Sequence, residues 1–373
     1  MNRVIIVGNG FDLAHQMKTD YLSFITNYIK ASFLFAKSHQ KFDDEFMTIE
    51  RQGRWNGTVN IDTLQNLNDF KIFLFPQKSN AQYNFLDVTT NSYSREYEFK
   101  WQIKNQFIEH LFTKCFHLTW VDIENEYYVE LKKILDLDDV KKKSQEVLKL
   151  NSAFNYLIKI LKTYLLSLKP ANLNWEYQNL LQEEIKKKDL VDAIIEADVL
   201  PQRILILNFN YTNTIVNYIR NSTINNNNID YSVIHIHGQL NDQFNPIIFG
   251  FGDELDKSYQ RIEEEKVKGF LNYVKSFWYF KTSNYYNLIR FIDSDLYQVY
   301  ILGHSCGLSD RTMLNMIFEH DNCKSVKIFY HEIGTVNNYE ELTQEISRHF
   351  SNKGEMRKKI VSFDKSNAMP QLE

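Results

Sequence analysis

The chain has 373 residues, 43% hydrophobic and 24% charged, with 27 Phe and 22 Tyr against 12 Gly and 5 Pro. That is enough apolar side chain for one large domain or two, and too few turn-forming residues for a loop-rich β-protein. A formal net charge of −4 gives no general drive toward nucleic acid, and three scattered cysteines without a Cys-x-x-Cys pair cannot build a four-cysteine zinc module and fit a reducing cytoplasm.

The N-terminus reads as a strand rather than a signal peptide, and no run of about 18 apolar residues marks a membrane span. Strand 3–8 runs into Gly8-Asn9-Gly10-Phe11-Asp12. A buried strand followed by Gly-x-Gly lets backbone amides approach a phosphate or ribose, because no Cβ intervenes. Leu13 stands where a dinucleotide fingerprint has its third glycine, and no second strand ends in an acidic residue at the expected distance, so a hydride-transfer enzyme is disfavoured. A ligand-free tight turn is the alternative for this motif. A helix follows over about 21–35, capped by Thr19 or Asp20. Residues 38–100 lack periodicity and read as loops and short helices.

From about 100 to 200, apolar residues such as Leu131, Ile134 and Leu135, then Phe154, Leu157, Ile158, Leu161 and Leu165, recur at helical spacing. Lys141–Lys143 and Lys186–Lys188 read as solvated faces or turns. In Trp120-Val121-Asp122-Ile123-Glu124, Glu124 is either a surface acid or a carboxylate projected toward a substrate.

Strand 204–207 then runs into Asn208-Phe209-Asn210-Tyr211-Thr212. An amide there can orient a water or a ribose hydroxyl, and helix capping by Asn210 or Thr212 is the plainer reading. Asn225–Asn228 reads as a loop. Strand 233–237 ends at Gly238 and carries His235 and His237 on one face. No carboxylate or thiol stands beside them, so no metal is expected; His237, nearer the strand end, is the better proton acceptor. A short strand is expected at 247–249 and helix over 258–290.

Strand 299–302 ends in Gly303-His304-Ser305-Cys306-Gly307-Leu308-Ser309-Asp310, where Ser309 or Asp310 is expected to cap the next helix and Cys306 to be a buried spectator. Residues 303–307 also spell Gly-x-Ser-x-Gly, which keeps a serine hydrolase using Ser305 open, with His331 or His349 as partner. A strand at 326–330 and a helix through Tyr339, Leu342, Ile346 and Phe350 complete the pattern. Strands alternating with helices imply an α/β, Rossmann-like fold: a mostly parallel sheet with helices on both faces. Residues 1–36 and 200–350 are expected to form a split nucleotide-binding domain, 37–199 a mainly helical insertion, and 351–373 a loosely held polar tail.

The ordered set 7–15, 120–124, 208–212, 235–238 and 303–310 resembles the AbiH-type bacteriophage abortive-infection family. More remotely it is similar to the sirtuin-like NAD-binding fold. That resemblance implies NAD as substrate, cleaved at the nicotinamide–ribose bond, with Asn210 and His237 catalytic and Asp12 or Glu124 stabilising developing positive charge. It places Gly8, Gly10, Gly303 and Ser305 around the nucleotide, and Asn9, Phe11, Asn208, Tyr211, Gly238 and His304, in the same motifs, are further candidates for contact with it. Asp12 departs from the small residue expected after the turn. A nucleotide sensor without turnover remains the alternative. Implied partners are the small-molecule nucleotide and, for an infection-triggered effector, a phage-derived trigger, a regulatory protein or a second copy; the expected compartment is the cytoplasm.

Overall fold

The structure, a computed structural model, describes residues 1–51, 99–114, 120–192, 195, 197–221 and 229–372. The Asn225–Asn228 run, Cys115 and most of the 38–100 stretch lie outside the described residues. The chain divides into two compact units, one of Met1–Lys18, Leu168–Glu264 and Leu271–Glu373, the other of Thr19–Ser167 with Glu265–Phe270.

The first unit is built on a six-stranded sheet of β1 (Asn2–Val7), β5 (Arg203–Asn208), β6 (Asp230–His235), β7 (Tyr297–Leu302), β8 (Cys323–Tyr330) and β11 (Asn367–Ala368). The short β9 (Glu332–Ile333) and β10 (Val336–Asn337) form a separate antiparallel pair. In the six-stranded sheet every pairing is parallel, and the spatial order is β11-β8-β7-β1-β5-β6. Read from the other edge, this is the 3-2-1-4-5-6 order of doubly wound dinucleotide-binding folds, whose direction reverses between β1 and β7. All six residues of β1 and of β7 are buried, as central parallel strands covered on both faces require.

Alternation along the strands divides the core in two. Val4, Ile6, Leu205, Leu207, Val299 and Ile301 face α10 (Asn284–Ser294), α11 (Arg311–Glu319) and α12 (Tyr339–Ser347). Ile5, Val7, Ile204, Ile206, Tyr300 and Leu302 face α1 (Asn9–Ala14), α6 (Trp175–Leu181) and α7 (Thr214–Asn221). Helices on both faces of a parallel sheet are the architecture expected from the strand–helix alternation.

Local expectations differ in several places. The helix expected over 258–290 is broken into α8 (Tyr259–Glu264), α9 (Lys275–Tyr279) and α10, with turns between them. Residues 247–249 form no strand: Ile248 gives its N–H to the His237 carbonyl, and the segment pairs with no other strand among the described residues. The polar stretch 351–373 is not a loose tail. It contains α13 (Lys353–Lys359), the edge strand β11 and a run in which Met369 N–H donates to Tyr330 O and Leu372 N–H to Ala14 O. Polar composition hid these backbone bonds, which any residue except proline can make.

The second unit contains α2 (Tyr21–His39), whose start is capped by Asp20 accepting from Ser23 N–H, and the helices α3 (Gln106–Lys114), α4 (Trp120–Leu135) and α5 (Val140–Ser167). It also holds an antiparallel sheet that sequence did not reveal, β2 (Lys41–Asp43), β3 (Met47–Arg51) and β4 (Phe99–Ile103) in the order β2-β3-β4. Two of its strands are separated by 47 intervening residues in sequence (52–98), so no local hairpin signal marks the pairing. Aromatic packing fills this unit's core, with Phe33 against Phe99 at 5.3 Å and Tyr127 stacked on Phe154 at 4.2 Å. No helix among the described residues is long and apolar enough to cross a membrane.

Candidate functional site

In a parallel sheet all the strand ends of one sense share an edge, so the segments after β1, β5, β6 and β7 gather at the carboxyl end of the first unit. At the point of reversal the Gly8–Gly10 turn is stitched to the loop after β7. Gly8 N–H donates to Leu302 O at 3.0 Å and Gly10 N–H to Gly303 O at 2.8 Å. Gly303 has φ +67°, and a Cβ there would fall on the Phe11 amide nitrogen; a Cβ on Gly8 would lie 2.5 Å from His304 Cα. These glycines therefore have a reason inside the fold: two backbones approach more closely than any side chain allows.

Phe11, expected beside a nucleotide, is instead a core residue against His15, Tyr177 and Tyr218. Asp12 is buried and accepts a hydrogen bond from Thr212 Oγ1 at 2.6 Å, while its Oδ1 has no hydrogen-bond partner among the described residues. Burial pushes the Asp12 carboxyl up to about 6 against the opposing hydrogen bonds of Thr212 and Thr214.

Asn210 and Thr212, the candidate caps of α7, use their side chains within the network at the strand ends. Thr212 serves Asp12, and Asn210 Nδ2 donates to Gly8 O at 2.9 Å, tying the end of β5 to the glycine turn. That leaves Asn210 Oδ1 as an acceptor. Asn208 is fully enclosed: Oδ1 accepts from Asn210 N–H, and Nδ2 faces Thr212 O and His235 Nδ1. Its amide shapes the turn rather than meeting a ligand. His235 takes part in that internal network, as expected of a satisfied interior histidine. Tyr211 donates its hydroxyl to Ile248 O, and Gly238 takes φ +83° at the turn beyond His237.

The histidine after it belongs to a second, charged group. His237 Nε2 lies 3.0 Å from Asp310 Oδ1, and Lys275 Nζ donates to the same oxygen at 2.8 Å. His304 Nε2 lies 3.8 Å from Asp310 Oδ2, and the Tyr279 hydroxyl lies 3.3 Å from His237 Nε2. Lys275 and Tyr279 come from α9 (Lys275–Tyr279), where a four-residue spacing puts both on one helix face. Phe209, at the end of β5, packs edge-on against both imidazoles, with ring centroids 4.8 Å from His237 and 4.2 Å from His304. The His237–Asp310 contact thus reaches from the loop after β6 to the loop after β7, across the ends of β5 and β1.

All four charged or titratable members are buried: Lys275 is 1% exposed, Asp310 4%, His304 5% and His237 6%. Burial alone would raise the Asp310 carboxyl, but Lys275, His237 and His304 outweigh it and hold it well below the usual carboxylate range. Burial lowers His304 to about 4, with Asp310 opposing, so His304 is neutral at pH 7. Its Nδ1 accepts the Cys306 N–H at 3.0 Å, which places its hydrogen on Nε2, toward Asp310.

Asp310 was expected to cap the next helix, as was Ser309. Neither does: Asp310 makes no side-chain cap bond, and Ser309 Oγ is buried without a hydrogen-bond partner among the described residues. The sequence signal for Asp310 was its place at the end of the 303–310 motif; nothing in the sequence marked Lys275 or Tyr279. Ser305 is exposed and makes no hydrogen bond to a histidine among the described residues, while His349 Nε2 is engaged by Cys306 O at 2.6 Å and His331 is exposed. No preformed Ser-His pair is present there. Asn9 is half-buried at the start of α1. Glu124 lies on α4 in the second unit and is buried. Among the described residues no group of three or more His, Cys, Asp or Glu is arranged to hold a metal ion.

A protein-family model described as Bacteriophage abortive infection AbiH matches residues 4–332. No curated protein and no solved structure matches the chain.

Proposed function

The chain belongs to the bacteriophage abortive-infection AbiH family, and from that premise we propose that it is an antiphage effector that hydrolyses NAD at the nicotinamide–ribose bond. The observation that carries the reading is the pairing of His237 with a buried carboxylate, Asp310, at the same sheet edge as Asn210, in a fold with dinucleotide-binding strand order.

Cleavage breaks the bond between ribose C1′ and the pyridinium nitrogen. The electron pair leaves with nicotinamide, positive charge develops on the ribose, and water adds at C1′ to give ADP-ribose and a proton. In this reading Asn210 Oδ1 accepts a hydrogen bond from that water or from a ribose hydroxyl. His237 accepts the proton, and the Asp12 carboxylate stabilises the developing charge. Gly8, Gly10 and Gly303 contribute by holding the β1 and β7 ends together. The proposal gives Glu124 no step.

The test is nicotinamide release by the full chain beside Asn210→Ala and His237→Ala. Release by the wild type, with loss of about 10²-fold or more in both variants, supports the reading. NAD binding without product, at high protein concentration and with phage lysate added, favours a nucleotide sensor. Covalent labelling of Ser305 by a fluorophosphonate would reject both in favour of a serine hydrolase.

A further inference from the structure

Asp310 makes two contacts through one oxygen and a longer one through the other. Oδ1 takes the Lys275 ammonium and His237 Nε2, and Oδ2 faces His304 Nε2. A carboxylate only accepts, so a hydrogen bond from His237 requires the hydrogen on Nε2. The carboxylate's charge is already met by Lys275, so that bond needs only an imidazole N–H and not an imidazolium. The neutral His304 adds a second N–H without adding charge.

We infer that Asp310 and Lys275 are positioning residues for His237: they fix its neutral Nε2–H tautomer and make Nδ1 the proton-accepting atom. The inference rests on the proposed role of His237 as a base. The groups facing its imidazole are Asp310, Tyr279, His304 and Phe209, with Lys275 behind Asp310, drawn from the loops after β5 and β7 and from α9. Tyr279, 3.3 Å from the same nitrogen, can share the Nε2 hydrogen but cannot replace the carboxylate, because its oxygen carries no charge. No hydrogen bond to His237 Nδ1 is formed by the described residues, so a water or a ribose hydroxyl can meet it there.

The tautomer is readable without any substrate. The full chain is labelled with ¹⁵N-histidine and its imidazoles are observed by long-range ¹H–¹⁵N correlation at pH 7.5, with His237→Gln identifying the resonance. The expected wild-type pattern is hydrogen on Nε2 and none on Nδ1. Asp310→Asn is expected to shift the population toward Nδ1–H. Lys275→Met is expected to leave His237 as the only strong partner of the carboxylate and to put hydrogen on both nitrogens. If Asp310→Asn does not fold by circular dichroism, the double variant Asp310→Asn/Lys275→Met, which removes both charges, takes its place.

An Nδ1–H pattern in the wild type, or an unchanged pattern in these variants, overturns the inference. Nicotinamide release is measured on the same samples. The expected result is a kcat loss of roughly 10²–10⁴ in Asp310→Asn and Lys275→Met with KM near wild type. The expected tautomer without any release keeps the positioning inference and removes the NAD reading. Release from a protein with the opposite tautomer does the reverse.

Discussion

Asp12 offers a test of burial and charge at the candidate site that needs no knowledge of the ligand. Its carboxyl is held at about 6 against an ordinary 3.8, because burial disfavours the charged form more than Thr212 and Thr214 favour it. Between those two values the folded protein keeps a proton that the unfolded chain has released. Stability therefore falls as pH rises through that window. The full difference corresponds to about 3 kcal/mol. Asp12→Asn keeps an acceptor for the Thr212 hydroxyl and cannot ionise. Its amide nitrogen, placed where Oδ1 now lies unpaired, costs about 1–3 kcal/mol at every pH. The two effects separate by pH dependence. In guanidinium denaturation followed by circular dichroism at pH 4, 5, 6 and 7, the stability of wild type minus that of Asp12→Asn should fall by about 2.4 kcal/mol from the lowest pH to the highest, since the unfolded carboxyl is already partly ionised at pH 4. Parallel curves would refute the argument, since they would mean that Asp12 titrates alike in the folded and unfolded chain. If Asp12 also stabilises positive charge on the substrate, nicotinamide release should decline in the same window as pH falls through 6.

Removing one member of the buried charge pair should cost more than removing both. Asp310→Asn is expected to destabilise the protein by about 3–5 kcal/mol by removing the carboxylate that faces the buried Lys275 ammonium, and Asp310→Asn/Lys275→Met to recover part of that in thermal denaturation; no recovery would mean that the pair is not the source of the loss. Gly303→Ala should abolish soluble folded protein or lower Tm by more than 10 °C, because φ +67° and the Phe11 amide both exclude a methyl group, whereas Ser305→Ala, at an exposed position, should leave Tm within about 1 °C. Burial pushes the Cys306 thiol up and Cys323 to about 12, so neither should react with iodoacetamide at pH 8 until the protein is unfolded; peptide mapping by mass spectrometry checks both.

The parts of the fold that sequence reveals are those with a local cause. Buried parallel strands are continuous apolar runs, so β1, β5, β7 and β8 are visible as such, and α12 shows in the spacing of Leu342 and Ile346. The β2-β3-β4 sheet has no such signal because its partners are distant in sequence. The site follows the same division. Asn210 and His237 follow strand ends, although β6 stops at His235 rather than 237, and Asp12 sits in α1 just beyond β1; there the chemistry of one residue type at one position is informative. Asp310 carries the same local signature as a helix cap, and only the approach of Lys275 and His237 from two other segments distinguishes a cap from a buried counter-ion. Lys275, on a five-residue helix, has no local feature that separates it from a surface lysine.

The glycine turn is the point where sequence and structure give different meanings to the same residues, and the difference decides which variants are informative. In a doubly wound sheet a ligand is expected where the strand order reverses, between β1 and β7. Here that point is closed by Gly10 N–H on Gly303 O and by Gly8 N–H on Leu302 O, so these amides are already spent. Side chains at the Gly8, Gly10 or Gly303 positions would strike backbone of the neighbouring loop before reaching any ligand. Loss of activity in a glycine variant therefore reports on the fold. Among the described residues, two groups at this edge that keep an unused acceptor are Asn210 Oδ1 and His237 Nδ1, each held by a bond through its other polar atom, Asn210 Nδ2 to Gly8 O and His237 Nε2 to Asp310. Each is preorganised by the protein while leaving one atom for a substrate. His237 variants remove that atom while leaving the glycine contacts in place, whereas Asn210 variants also release the Gly8 carbonyl, so their kinetics bear on chemistry only beside an unchanged Tm.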